Sequence, residues 1–146
     1  MNWFWLALPC FAGMLMAVQG SINGAVSKII GALEGNFLMH AVGLGLIFLL
    51  LFVIGIGDGD WSRIKELPWY GYLSGIINVA IIYGVMVSIA RLGACPATTA
   101  IIVGQVGTAA VIDWLGLFGL ERTGFSPWQL LGVALLAAGA RLLLAK

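Results

Sequence analysis

Nineteen consecutive residues, from Pro96 to Trp114, contain no lysine, arginine, glutamate or histidine. At a rise of ~1.5 Å per residue, a helix of that length crosses a hydrocarbon core of ~30 Å. Comparable apolar segments recur along the chain, and the predicted spans cover residues 3–26, 36–57, 68–91, 96–114 and 126–144. We therefore predict an all-α membrane protein with five transmembrane helices, and the lipid bilayer as its surroundings.

The overall composition supports the same fold class. Apolar residues make up 62% of the chain and charged residues 9%, and the mean hydropathy is +1.08. Soluble domains of this size do not have such a composition, and a net charge of +1 gives no indication of a nucleic-acid partner. Cys10 and Cys95 lack metal-binding spacing, so we expect them to be small apolar fillers. We predict one transmembrane domain over residues 1–146, without metal or cofactor.

Short local signals predict where the spans begin and end. Ser126 and Pro127 fit the N-cap and first helical position of the fifth span, and Pro96 fits the first position of the fourth. Residues 27–35 include polar side chains and are predicted to form a loop between the first two spans. The segment 58–67 holds five charged residues and is predicted to be a solvated connection.

Four neutral amides interrupt the apolar spans: Gln19, Asn23, Asn78 and Gln105. Gln19 and Asn23 are four residues apart and share one helix face, while Asn78 and Gln105 lie near the middle of their spans. One interpretation is hydrogen bonding between helices, worth ~0.6–2 kcal/mol for each residue. The other is a polar cavity on a substrate path. For Gln105 alone both stay open, whereas the set of four, on glycine-rich helices, favours a cavity.

Two titratable residues are placed nearer the ends of that cavity. His40 is the single histidine of the chain, and a helix-packing or pore-lining role is favoured over metal binding because no second ligand is close in sequence. Asp113 lies near a span end, where it could couple or gate transport. A role in capping a neighbouring segment or pairing with Arg122 is favoured, because charges at span ends can reach water. No nucleophile–base pair is visible, so we do not expect an enzyme.

Glycine spacing predicts close helix contacts. Gly20–Gly24 and Gly71–Gly75 are Gly-x-x-x-Gly pairs, which allow two helix backbones to approach in a membrane. The second half of the second span, in contrast, is free of polar residues and is expected to face lipid.

The basic residues do not set an orientation in the membrane. Five spans would leave Arg63, Lys65 and Arg122 on one side, and four basic residues on the other, namely Lys28, Arg91, Arg141 and Lys146. Orientation normally follows an excess of lysine and arginine in cytoplasmic loops, and three against four is almost no excess. We therefore expect dual topology, with oppositely inserted copies paired as an antiparallel homodimer.

Several short motifs occur in a family-specific order: Gln19 to Asn23 as Q-x-x-x-N, Trp69 with Gly71 and Gly75, Arg91-Leu92-Gly93, Gly104-Gln105, and Ile112-Asp113-Trp114-Leu115-Gly116. In this order they make the chain resemble, over nearly its whole length, the YdcZ-type family of five-helix proteins in the drug/metabolite transporter superfamily. The resemblance implies a prokaryotic inner-membrane protein in which two inverted five-helix units form one ten-helix transporter. The chain differs from the family pattern at Met39-His40 and at Asn78, and both differences add polarity to the predicted cavity.

These observations predict a transporter of small molecules that works by alternating access at a dimer-interface cavity. The cavity would be lined by Gln19, Asn23, His40, Asn78 and Gln105, and amides with aromatic neighbours suit a small polar metabolite, neutral or zwitterionic. One alternative is an exporter of lipophilic or quaternary cations held by aromatic side chains. Others are a non-transporting assembly subunit, whose polar residues would only associate helices, and a channel.

Overall fold

The computed structural model describes residues 3–124 and 126–144, and in this part of the chain five helices are long and apolar enough to cross a membrane. This confirms the predicted number of spans. The helices are α1 (Phe4–Ile30), α2 (Ala32–Phe48), α3 (Leu73–Leu92), α4 (Ala94–Leu115) and α5 (Pro127–Leu144). The chain divides after Arg91 into two compact units. Whether they act as one domain stays a prediction.

The junction between α1 and α2 differs from the predicted loop. Helix α1 continues to Ile30, and Gly31 alone separates it from α2. Gly31 has φ 101°, a conformation open to glycine without steric cost, and its N–H bonds to the Ser27 carbonyl. Ser27 is tolerated inside the helix because its hydroxyl donates to the Gly24 carbonyl at 2.8 Å. The prediction of a loop over residues 27–35 is therefore wrong.

The end of the second span is not a regular α-helix. The π-helical segment Leu49–Ile54 continues α2, and it ends at Gly55, whose φ is 74°. The following connection contains a 3-10 helix, Trp61–Glu66, which begins where the Asp60 carboxylate accepts a hydrogen bond from the Ser62 N–H at 2.9 Å. Hydrogen bonding to Ser62, mainly by its side chain and then by this N–H, holds the pKa of Asp60 below its ordinary value. Residues 58–67 are all exposed, which fits the predicted solvated connection.

In the first unit, glycines let α1 approach α3. A Cβ atom built on Gly20 would lie 2.8 Å from Ile89 Cδ1, and one on Gly24 would lie 2.7 Å from Ile89 Cγ2. The Gly20–Gly24 pair therefore makes the close contact that its spacing predicts. Around Gly71 and Gly75, by contrast, no described atom lies within 4 Å of such a Cβ. The packing predicted for that second pair is absent from the described chain, whose backbone there passes from the 3-10 helix Trp69–Tyr72 into α3.

In the second unit, α4 packs against α5. Helix α4 begins at Ala94, after Gly93 with φ 89°, so Pro96 occupies its third position and not its first. Proline is tolerated there because the N–H groups of the first turn have no partner inside the helix. Ser126 and Pro127 begin α5 as predicted. The Ser126 hydroxyl accepts from the Trp128 N–H at 3.3 Å, and Gln129 Oε1 accepts from the Ser126 N–H at 3.0 Å, which is a capping-box arrangement.

Candidate functional site

Three polar side chains form a chain of hydrogen bonds between α2 and α3. Asn36 Nδ2 donates to the Val79 carbonyl at 2.8 Å. One turn later on α2, His40 Nδ1 lies 2.9 Å from the Asn36 carbonyl. His40 Nε2 in turn lies 3.2 Å from Asn78 Nδ2 on α3. The structure therefore brings two predicted site residues, His40 and Asn78, into direct contact.

Asn36 was not among the residues predicted to form the site. Only 1% of its surface is exposed, and its Oδ1 has no hydrogen-bond partner among the described residues. Two signals in the sequence could have identified it: an amide at the start of an apolar span, and its position four residues before His40 on the same helix face.

Asn23 and Gln19 lie on one face of α1, as their spacing predicts. Both line a cavity of about 610 Å³, together with apolar side chains of α1 and Met39 of α2. Asn23 is only 1% exposed, and neither its Oδ1 nor its Nδ2 has a hydrogen-bond partner among the described residues. An unpaired polar group in such surroundings costs roughly 1–3 kcal/mol. Asn23 is thus a buried amide whose donor and acceptor groups are unused among the described residues.

The remaining two candidate residues belong to the second unit. Gln105 on α4 is exposed, and its side chain makes no hydrogen bond within the described residues. Asp113, near the end of α4, lines a cavity of about 310 Å³ between α4 and α5, where Gln129 and Thr123 also stand. Gln129 was not predicted as a site residue, since its position at the start of an apolar helix indicates only capping.

The predicted pairing of Asp113 with Arg122 does not form in the described chain. Arg122 Nε donates instead to the Trp114 carbonyl at 2.9 Å. The reason is the end of α4, where the last carbonyls lack helical partners and attract a cation. The backbone carbonyl of Asp113, not its carboxylate, accepts a bond from the Thr123 N–H at 3.0 Å. The Asp113 side chain is therefore left facing the cavity.

The candidate residues thus fall into separate groups. His40 and Asn78 are bonded to each other, Gln19 and Asn23 share a cavity, and Gln105 and Asp113 lie on α4 of the second unit. A single cavity lined by all of them stays a prediction. No cluster of three or more histidine, cysteine, aspartate or glutamate side chains suited to a metal occurs in the residues that the structure describes.

Comparison with known proteins gives one finding. The family described as "Putative inner membrane exporter, YdcZ" matches the chain over residues 4–142. This range includes every candidate residue named above. No curated protein and no solved structure matches the chain.

Proposed function

The chain belongs to the YdcZ family of inner-membrane exporters, and from this premise we propose that it transports small polar solutes by alternating access. As a multi-pass protein of the inner membrane it has five helices of sufficient length and hydropathy. The proposed substrate is neutral or zwitterionic, because the candidate residues of α1 to α3 are three amides and one imidazole. We further propose that two copies, inserted in opposite orientations, form the ten-helix unit that inverted-repeat transporters use.

The observation that carries this proposal is Asn23. Polar groups inside membrane spans usually pair with protein, and those that do not are found on solute paths. The Asn23 amide is buried and has no partner in the described chain, although it lies beside Gln19 at a cavity of about 610 Å³. A residue retained only to associate helices would be bonded to another helix. We infer that a solute or a second conformation of the protein satisfies Asn23.

Asn23→Leu tests the proposal in proteoliposomes. The wild-type chain should give saturable flux of at least one solute from a panel of neutral and zwitterionic metabolites and quaternary amines. The leucine variant should lose that flux, although its fold should be as stable as the wild type or more stable, because an unpaired amide is removed. Ile22→Leu, at the same cavity, is the matched control and should transport normally.

Each of the other outcomes identifies a rival function. Saturable flux of quaternary amines alone would show the cation exporter. Fast flux that does not saturate would show a channel, and the absence of flux for the whole panel would show a non-transporting subunit. Normal transport by Asn23→Leu would remove Asn23 from the solute path.

The antiparallel pairing rests on the near balance of basic residues, three on one side against four on the other. Of these, Lys146 lies outside the described residues. In a variant with Cys10 and Cys95 replaced by alanine, Asp58→Cys provides a reporter, since Asp58 is exposed and precedes the capped turn at Asp60. Dual topology requires that an impermeant thiol reagent label it both in intact cells and in inverted vesicles.

Added lysines should lock the orientation and separate the two copies. Lysines in the connection 58–67 favour one orientation, and Leu142→Lys with Leu143→Lys, at exposed positions of the last turn of α5, favour the other. Either variant alone should lose transport, and co-expression of both should restore it. Labelling from one side only would show a fixed topology and a separate inverted partner.

A further inference from the structure

The hydrogen bonds around His40 can run in one direction only. The Asn36 carbonyl is a backbone oxygen and can only accept, so the neutral imidazole must carry its proton on Nδ1. Nε2 is then an acceptor, and the group it faces must donate. That group is the Nδ2 amide of Asn78 at 3.2 Å. The fixed carbonyl of Asn36 therefore determines both the tautomer of His40 and the orientation of the Asn78 side chain.

Asn36 holds this arrangement in place. Its side chain is almost completely removed from solvent, since only 1% of its surface is exposed. Its Nδ2 donates to the carbonyl of Val79, the residue that directly follows Asn78 on α3. One residue of α2 thus binds α3 through its side chain and orients His40 through its backbone. Asn36 is a positioning residue for the pair His40–Asn78.

The orientation of Asn78 decides what it can offer to a solute. Its Nδ2 is engaged by His40, and its Oδ1 has no hydrogen bond within the described residues, while the residue as a whole is exposed. With His40 neutral, Asn78 therefore offers an acceptor. If His40 gains a proton on Nε2, both ring nitrogens donate, and Asn78 can keep the bond only by turning its carboxamide so that Oδ1 accepts. It then offers the two N–H donors of its amide.

We propose that a proton on His40 inverts the hydrogen-bonding polarity of Asn78. In the neutral state the site holds solutes through their hydroxyl, amide or ammonium donors, and in the protonated state it releases them. The proton enters from the aqueous side to which the site is open and leaves on the other side when a solute rebinds, so one proton moves against each solute. This inference rests on the proposed transport function and deepens it by naming the solute's hydrogen-bond donors as the recognised chemistry.

No charged side chain is hydrogen-bonded to His40 in the described chain. On its own helix, Glu34 stands in the first turn of α2. On the helices packed against it, Lys28 lies in the last turn of α1 and Arg91 in the last turn of α3. The remaining titratable side chains of these helices, Cys10 and Tyr83, are exposed. None of these groups is hydrogen-bonded to the imidazole, whose bonded partners are the Asn36 carbonyl and Asn78.

Nitrogen NMR tests the inference directly, because His40 is the single histidine of the chain. The whole protein is labelled with ¹⁵N-histidine and ¹⁵N-asparagine and titrated in lipid nanodiscs from about pH 8.5 to about pH 5, the range over which imidazole changes charge. We expect a protonated Nδ1 and a bare Nε2 at the alkaline end. Both nitrogens should be protonated at the acidic end, with a simultaneous shift of the Asn78 carboxamide resonance, which Asn78→Leu identifies. An Nε2–H tautomer at alkaline pH, or an Asn78 resonance that does not respond, would overturn the proposal.

Asn78→Asp provides a second measurement that retains the shape of the side chain. A carboxylate can only accept, so it should hold His40 with both nitrogens protonated even at the alkaline end of the series. A bare Nε2 in this variant at alkaline pH contradicts the contact on which the proposal depends. Asn36→Leu removes the side-chain anchor to α3 but keeps the backbone carbonyl that His40 Nδ1 faces, so the Nδ1–H tautomer should persist in this variant.

The flux assay separates this inference from the proposed function. If the resonances behave as expected and no solute of the panel is transported, the proposed transport function is contradicted, while the proposed change at Asn78 is supported. If solutes are transported but the flux of hydroxylated and fully methylated analogues responds equally to pH, the transport function is supported and the proposed role of Asn78 is contradicted.

Discussion

The α2–α3 pair of the first unit and helix α4 of the second unit satisfy the amides of their apolar spans in opposite ways. In the first unit, Asn36, His40 and Asn78 bond across α2 and α3, and Ile89 of α3 packs against the glycines of α1. In the second unit, Gln105 has no hydrogen bond within the described residues. A Cβ on Gly104 or Gly107 would meet no described atom within 4 Å.

The difference distinguishes two roles of an amide in an apolar span. An amide in an apolar span can associate helices or can face a solute, and hydropathy alone does not distinguish them. The hydrogen bond of Asn36 to the Val79 carbonyl identifies it as a residue that associates helices. Gln105 and Asn23, in contrast, keep unused donors and acceptors among the described residues. The comparison implies that substitution of Asn36 changes stability first, and substitution of the unbonded amides changes transport first.

The largest expected effect on stability comes from filling the glycine contact of the first unit. Gly24→Leu places a side chain where even a Cβ would lie 2.7 Å from Ile89 Cγ2, and overpacking of this kind costs ~1–3 kcal/mol. The free energy of unfolding in mixed detergent micelles measures it. Gly104→Leu is the matched control in the second unit, where the Cβ has open space, and should change the same quantity little. Equal losses for both variants would show that Gly104 also packs against another helix, in this chain or in a second copy.

A smaller loss is expected from the hydrogen-bonded network. Asn36→Leu removes the bond to the Val79 carbonyl, and interhelical bonds in membranes contribute ~0.6–2 kcal/mol. We expect about 1 kcal/mol, toward the lower part of that range, because the unpaired Oδ1 of Asn36 is removed at the same time. Unfolding in the same micelles provides the measurement. A variant as stable as the wild type would mean that the bond to Val79 does not hold α2 to α3.

Much of the fold could be predicted from the sequence, because length and hydropathy suffice to identify spans in a bilayer. The capping of α5 by Ser126 was also predictable, since it depends on neighbouring residues. The junction at Gly31 was not predictable, because a segment that contains the polar residues Lys28 and Glu34 has the composition of a loop. In lipid, however, a helix that continues keeps its backbone groups bonded.

The polar residues of the spans could be identified from the sequence, but their hydrogen-bond partners could not. A helix-packing or pore-lining role was expected for His40, and the structure adds that its partner on α3 is Asn78. Periodicity indicates which residues share a face of one helix, but it does not give the rotation of one helix about another. For the same reason the Gly71–Gly75 spacing suggested a contact that the described chain lacks, and Asn36 was missed although it lies one turn from His40.

Gln105→Leu is expected to affect transport and not stability, the opposite of the effect expected for Asn36→Leu. The side chain has no bond to lose within the described residues, so the free energy of unfolding should change by less than ~0.5 kcal/mol. Flux of the solute identified by the proteoliposome panel should nevertheless be abolished, because the amide faces the proposed path. Ile102→Leu, one turn earlier on the same helix, is the control. Retained flux would show that Gln105 is not required for transport, and a large loss of stability would show that it contacts another helix.

The smallest effect is expected at the solvated connection, where polar bonding is local and fully exposed. Asp60 accepts from the Ser62 N–H. Hydrogen bonding to Ser62, mainly by its side chain and then by this N–H, lowers the pKa of Asp60. Because the folded pKa is depressed, the stabilisation is present above the ordinary aspartate value of ~3.9 and is lost as the pH falls through the lower folded value. Acidification below about pH 4 should therefore loosen the 3-10 helix Trp61–Glu66, in which Trp61 stacks on Phe52 at 5.9 Å.

The variant Asp60→Asn keeps a side-chain acceptor for the Ser62 N–H but removes the titrating carboxylate. The difference in tryptophan fluorescence between wild type and this variant isolates the response of Trp61 from the other tryptophans. A wild-type signal that changes on acidification, beside a flat signal in the variant, is expected. Identical curves would mean that Trp61 is held by its contact with Phe52 alone. In that case the order of the connection would depend on packing between segments and not on its local cap.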